Sequence, residues 1–527
     1  MKENIETRTK EAHVKLLVGN YRQPETGLCG PAALKIILDY CGSNVSVNEL
    51  VKLSETNQLG TSPAKLCVAA ATFGHRVFQR QNATIDDVES YIKAGLPVLV
   101  AYQEYEGRKP PKDPILDEGH YVVIYGFNDE ELLISDPAKE TGGYRRVPKE
   151  SFLKQWRDHD ELEDKIYKQW FMTVFPEQIP FIQAQGTNYD IGMTIGEKLK
   201  KQITILLHNI QQDYEKQTKK SFGTFISAAQ KFLPHCKQAY PEYVAEIEGM
   251  SAGAGIDFQT MFALSCTEEL NWTAPNKLFE KCSTLIARVE GDVVLTHNED
   301  YIMYPSQPLY VINARQKRKP SFLSIGYVGS LAGSSAGINS KGIAMAGNSI
   351  TARDCKIGVI KNFVCRAILD QENIKLATKT ISETERAVGG NYTLVSQRQQ
   401  RFIETTANTK KILPIKTLPA YHTNHCLSKE LRTLTNKPSC SSRQRYNRLK
   451  RILRRAGTQE LTIEELKQIL SNHADYPSSI CRHEYEADER GEGMFTTLAS
   501  IIINTNTKTL HVAQGNPCIA KYKEYSL

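Results

Sequence analysis

The sequence predicts an α+β protein made of two successive domains, and three observations predict it. Residues from about 15 to 175 alternate short helical patterns with apolar, β-branched runs that read as strands. After Gln178-Ile179-Pro180-Phe181, which reads as a linker, the pattern changes to successive helices. From Cys282 it changes again, to strands, with helices returning before a strand-rich end. The expected division is 1–178, 179–281 and 282–527.

The elements follow in order. Ala32 to Tyr40 reads as a helix directly after Cys29-Gly30-Pro31, because proline suits a first helical turn. Val98 to Tyr102 and Tyr121 to Gly126 are short apolar runs, hence strands. Helices are expected over Ile191–His208, Asn209–Tyr214 and Pro241–Ala254. Thr284–Val289 and Asp292–His297 form a hairpin turning at Glu290-Gly291. Helices return at Lys375–Val388 and Thr462–Leu470, and strands close the chain at Leu498–Asn504 and Thr509–Ala513.

Composition narrows the function classes. The 527 residues hold ample material for two cores, and 40% hydrophobic with 24% charged residues is ordinary globular usage. A net charge of +7 on so long a chain is too mild to imply nucleic acid. No run is apolar and long enough for a membrane span. The polar start, Met1-Lys-Glu-Asn, has no apolar core of a secretory signal, so a cytoplasmic setting is expected. The 12 cysteines show no CxxC pair and no metal-finger spacing; reduced, mostly buried thiols and no metal are expected.

A first candidate site lies in the first domain. Gln23-Pro-Glu-Thr-Gly-Leu-Cys29-Gly-Pro places a thiol at a helix start, where the helix end favours the thiolate. Such a nucleophile needs a base and a group to orient it. His120 begins one strand and Asp136 ends the next, while the Gln23 amide precedes the cysteine closely enough to help hold an oxyanion. These motifs resemble the papain-like family-39 cysteine peptidases, the group that includes bacteriocin leader peptidases, over about 150 residues. The resemblance implies Cys29 as nucleophile, His120 as base, Asp136 as orienter and Gln23 as oxyanion donor. The other reading is a peptide-binding module that captures without cutting.

The second candidate centres on Cys282. If the bond from Lys281 breaks, Cys282 gains a free amino group that can take its own thiol proton near neutral pH. The surroundings resemble the acyl-coenzyme A:6-aminopenicillanic acid acyltransferase (isopenicillin-N acyltransferase) family of Ntn hydrolases. The motifs run in order: Gln185 to Gly192, Pro241 to Phe258, Cys282-Ser-Thr, Asn298-Glu-Asp300, Gly337 to Met345, Tyr421 to Cys426 and Tyr476 to Arg482. The resemblance implies an αββα sandwich, self-cleavage between Lys281 and Cys282, Asp300 as the acid near the nucleophile and Asn424 as oxyanion donor. Asn348 and Arg482 sit in matching motifs as substrate contacts. Arg482 fits either a substrate carboxylate or a structural ion pair. His422 and His425 flank Asn424 and read as structural.

The basic stretch Arg443 to Arg455 carries Tyr446, Leu449 and Leu453 at helical spacing, so it reads as a solvated helix with one buried face. A weaker reading gives it the phosphates of an acyl-CoA co-substrate. The function expected is a self-cleaving cysteine amidase or acyltransferase coupled to a papain-like peptidase, or a chain in which one domain alone is catalytic. Its substrates would be small peptides, N-acyl amides or acyl-CoA. It would need no resident cofactor, and the fragments would stay associated after the cut.

Overall fold

The computed structural model describes residues 13–103, 119–160, 164–175, 179–271, 282–302, 308–457, 459–483 and 495–527. Gln178 and Lys281, named above, lie outside them. The chain divides into two units, Met1–Gln178 and Ile179–Leu527.

In the first unit, helix Cys29–Tyr40 buries Ala33, Leu34, Ile36, Ile37 and Leu38 against a seven-stranded sheet. It begins at Cys29, three residues earlier than Ala32, because Pro31 still falls in the first turn, where no N–H partner is needed. Strand Gly119–Phe127 pairs antiparallel with Glu131–Asp136, with Val123 opposite Ser135. That pairing brings the start of one strand, His120, to the end of the other, Asp136.

The second unit is layered helix, sheet, sheet, helix. An eight-stranded sheet packs on one face against the helices from Asn188 to Leu264 and from Lys361 to Glu383, forming the largest apolar core. A six-stranded sheet buries Leu285, Ala287, Val294 and Ile502 against helices Cys440–Ala456 and Ile463–Leu470. Between the two sheets the side chains turn polar. Thr284 on the smaller sheet donates to Asn348 on the larger one at 3.1 Å. Side chains there meet through hydrogen bonds, which burial makes obligatory.

The hairpin at Glu290-Gly291 forms as expected. Both residues have positive φ, 51° and 84°, and the turn sets Val289 opposite Asp292. Two expected helices are instead one, Asn188–Thr218, since nothing at Asn209 breaks the pattern and Thr187 and Asp190 cap its start reciprocally. The helix expected over Lys375–Val388 runs Ile374–Glu383. It stops because Thr384 is extended and the chain beyond bridges Val359 to Arg386.

The long helix crosses Pro241–Ala254 at very close range. A Cβ on Gly192 would lie 1.8 Å from the Glu246 carbonyl oxygen, and one on Gly249 would lie 2.1 Å from that of Tyr189. Gly196 and Gly253 repeat the pattern one turn on. Strand Phe181–Gly186, just before the long helix, pairs in parallel with Leu309–Gln316.

Candidate active sites

In the first unit, Cys29, His120 and Asp136 come together. The His120 Nε2 lies 2.8 Å from Asp136 Oδ1, leaving Nδ1 for the Cys29 thiol, with which the ring is in hydrogen-bonding contact. Burial opposes ionising the thiol, but the His120 hydrogen bond and charge outweigh it and hold Cys29 below the ordinary thiol value. Burial likewise opposes charging His120, yet the Asp136 hydrogen bond and the facing thiolate push the ring up to about 10. Asp136 is itself held low despite burial, by His120, by the Ala138 N–H at 2.8 Å and by Arg145. The three groups stand in the order carboxylate, imidazole, thiol, the arrangement that lets an imidazole draw the proton from a thiol. Gln23 is anchored by its N–H to the Pro137 carbonyl at 2.8 Å, directly after Asp136, and its Oε1 is buried without a hydrogen-bond partner among the described residues.

In the second unit the Cys282 backbone and thiol are held separately. Its N–H donates to Asn424 Oδ1 at 2.8 Å, and its carbonyl accepts from Arg445 at 2.5 Å. Its Sγ lies 3.2 Å from Glu299 Oε1. Glu299 also accepts from Tyr327 at 2.9 Å, from Ser335 and from His297 at 3.3 Å. Burial would raise this carboxylate, but the His297 bond and charge prevail and keep it low, hence ionised.

Among the described residues the hydrogen bond of the Asp300 side chain goes to Thr497, not to the thiol, which faces Glu299. Asp300 is fully buried, accepts from Thr497 at 2.7 Å, and leaves Oδ2 without a hydrogen-bond partner among the described residues. Burial pushes it up to about 7, against the pull of Arg445 and Arg482. Arg482 is also fully buried and donates to Ser441. Asn348 accepts from Thr284 and Asn391 between the sheets. The Asn424 amide nitrogen donates to the Ser349 carbonyl at 3.2 Å, while its oxygen serves the Cys282 nitrogen and Arg445. His422 pairs with Glu404 at 2.8 Å and His425 with Ser442 at 2.8 Å.

Two residues were missed in the sequence. Glu299 stands beside the motif aspartate, yet its position was readable: counting back from Val289 opposite Asp292 puts Glu299 across from Cys282. Arg445 looked like one more cation of a solvated helix. Leu449 and Leu453 of that helix are buried as expected, and Arg445, one turn earlier, shares their face. It has no exposed surface and joins Cys282, Ser283 and Asn424. A cavity of about 440 Å³ is lined by His425, the residue after Asn424 in the chain, by Tyr446 and by four cations, Arg353, Arg432, Lys437 and Arg443.

Residues 287–518 match the family model described as acyl-coenzyme A:6-aminopenicillanic acid acyl-transferase, and residues 15–163 match that of the Peptidase_C39 like family. A Beta-alanyl-dopamine/carcinine hydrolase of Drosophila melanogaster is 25% identical over 226 residues, 39% of this chain and 58% of its own. The 40 kDa form of an acyl-coenzyme A:6-aminopenicillanic-acid-acyltransferase of Emericella nidulans is 22% identical over 346 residues, 64% of this chain and 92% of its own. The Pediocin PA-1 transport/processing ATP-binding protein of Pediococcus acidilactici is 30% identical over 128 residues; this chain spans only 16% of its length. Among solved structures, the peptidase domain of Streptococcus ComA aligns with 31% of this chain and 100% of its own, at 27% identity and TM-score 0.24. A conjugated bile acid hydrolase variant from Clostridium perfringens aligns with 47% of this chain and 97% of its own, at 11% identity and TM-score 0.35.

Proposed function

We propose that this chain, which joins a segment matching the Peptidase_C39 like family to one matching the acyl-CoA:6-aminopenicillanic acid acyltransferase family, is a self-activating cysteine amidase or acyltransferase with a second thiol site. The observation that carries the proposal is the hold on Cys282, thiol on Glu299 and nitrogen on Asn424.

Activation begins when Glu299 takes the thiol proton and Cys282 sulfur attacks the Lys281 carbonyl carbon. The C–N bond breaks, a thioester forms, and the proton goes to the new amino group. Water then hydrolyses the thioester, releasing Lys281 as a carboxylate. In turnover the freed amino group takes the thiol proton, and the sulfur attacks an amide or thioester carbonyl. The leaving amine or thiol departs with that proton, and water or an acceptor amine resolves the acyl-enzyme. The relatives named above as a Beta-alanyl-dopamine/carcinine hydrolase and as an acyltransferase support a substrate that is an N-acyl amine or an acyl thioester. The cavity lined by Arg353, Arg432, Lys437 and Arg443 suits an anionic group such as the phosphates of an acyl-CoA co-substrate. The Cys29 site, by the same chemistry with His120 as acid and base, would cleave a peptide or amide bond.

Intact mass under denaturing conditions tests the reading. The protein should appear as two fragments, one running from Cys282 to Leu527. Cys282→Ala should stay whole, and Cys29→Ala should still be cut. Cleavage lost in Cys29→Ala but kept in Cys282→Ala would make the first site the processing protease and overturn the mechanism.

A further inference from the structure

Away from both thiol sites, four ligand-type side chains converge at the edge of the six-stranded sheet. His473 follows helix Ile463–Leu470, Cys481 and His483 lie in the segment before strand Phe495–Asn504, and Cys518 lies between the last two strands. Their ligand atoms all fall within 4.8 Å of one another. We propose that His473, Cys481, His483 and Cys518 form a tetrahedral zinc site.

The spacing carries this. A tetrahedral zinc with Zn–S about 2.3 Å and Zn–N about 2.0–2.1 Å sets ligand edges of about 3.8 Å between sulfurs, about 3.6 Å between sulfur and nitrogen, and about 3.3 Å between nitrogens. The two sulfurs lie 3.7 Å apart. His483 Nε2 lies 3.7 Å from the Cys481 sulfur and 3.3 Å from that of Cys518. The two imidazole Nε2 atoms face each other at 3.2 Å. The sulfurs are far beyond the roughly 2.05 Å of a disulfide. Asn516 supports the site from outside, donating to the Cys481 sulfur at 3.7 Å and to the Arg482 carbonyl.

The placement has a structural purpose. Arg482 lies between two of the ligands and sends its side chain the other way, to Ser441 and the Asp300 neighbourhood. A metal there ties both of its chain neighbours to Cys518 and so fixes where the guanidinium stands. Binding would release the thiol protons to solvent.

The test is metal content of the full chain purified without chelator, by elemental analysis and native mass spectrometry, with Co²⁺ substitution. About one zinc per chain is expected, and the cobalt form should show the intense visible bands of tetrahedral coordination and a thiolate charge-transfer band. Cys518→Ser and His473→Ala should lose the metal. Cys518→His should keep it with a weaker thiolate band, which separates ligand loss from misfolding. Cys282, His297 and Glu299 form another trio of ligand atoms, so Cys282→Ala must retain the equivalent. Metal-free protein after loading with one equivalent, loss on Cys282→Ala, or a Cys481–Cys518 disulfide in the peptide map would overturn the proposal. None of these readouts depends on catalysis, so the site can stand or fall apart from the proposed function.

Discussion

Glu299→Gln is the substitution that bears hardest on the Cys282 chemistry. Glutamine has the same shape, so the side chain keeps its place between the sheets. The carboxylate now accepts from the Cys282 thiol, Tyr327, Ser335 and His297. An amide offers one acceptor oxygen and one NH₂, so one end of the side chain must confront donors with a donor. A buried donor left unpaired costs about 1–3 kcal/mol, which sets the expected loss of stability. The kinetic effect should be larger. A positioned base contributes about 10²–10⁴-fold to a proton transfer, and self-cleavage of Glu299→Gln should slow by that range. The assay follows fragment appearance by intact mass after expression at low temperature, with thermal unfolding as the control. The residual rate should rise with pH as hydroxide replaces the missing base. Cleavage of Glu299→Gln at the wild-type rate, in a folded protein, would refute the assignment.

Three further outcomes are expected. Alkylation of Cys29 by iodoacetamide, read at its peptide, should set in below the pH range of an ordinary thiol, because the His120 hydrogen bond and charge favour the reactive thiolate. Asp136→Asn removes the charge that favours the imidazolium, so that onset should move to higher pH; an unchanged profile rejects the pair. Asp300 keeps its proton to about 7 in the fold but to about 3.9 unfolded, so the folded state binds more protons between these values and stability falls as pH rises through them. Thermal midpoints of Asp300→Asn should lack that fall, and a fall persisting in the variant assigns it elsewhere. Gly249→Ala should destabilise by about 1–3 kcal/mol in thermal unfolding, since its Cβ would meet backbone at Tyr189; a neutral result means the helices shift apart freely.

The site in the first unit was legible because each member sits in a short apolar motif that also fixes its element. Gly119-His120 opens a strand and Ser135-Asp136 ends one, and a single antiparallel pairing then brings them together. The Cys282 site was legible only in part. Its motifs named Asp300 and Asn424, but the partner of the thiol is set by register across a hairpin, which yields Glu299 only when the count is made. Arg445 was hidden by its helix: five other arginines lie between Arg443 and Arg455, and charge patterning alone does not say which turns inward. The metal-type cluster escaped because its ligands are spread from His473 to Cys518 and meet only once the sheet edge is built.

The parallel pairing of Phe181–Gly186 with Leu309–Gln316 and the glycine contacts of the long helix acquire another meaning if the Lys281–Cys282 bond is cut. The strand and Leu309–Gln316 would then belong to different polypeptides, and six backbone partners from Phe181 opposite Val311 to Gly186 opposite Gln316 would become an intermolecular seam. Folding precedes that cut, so the seam would form at the high effective concentration of one chain. Once severed, it would obey mass action. Refolding the separated fragments should therefore be second order and protein-concentration dependent, whereas refolding Cys282→Ala should not.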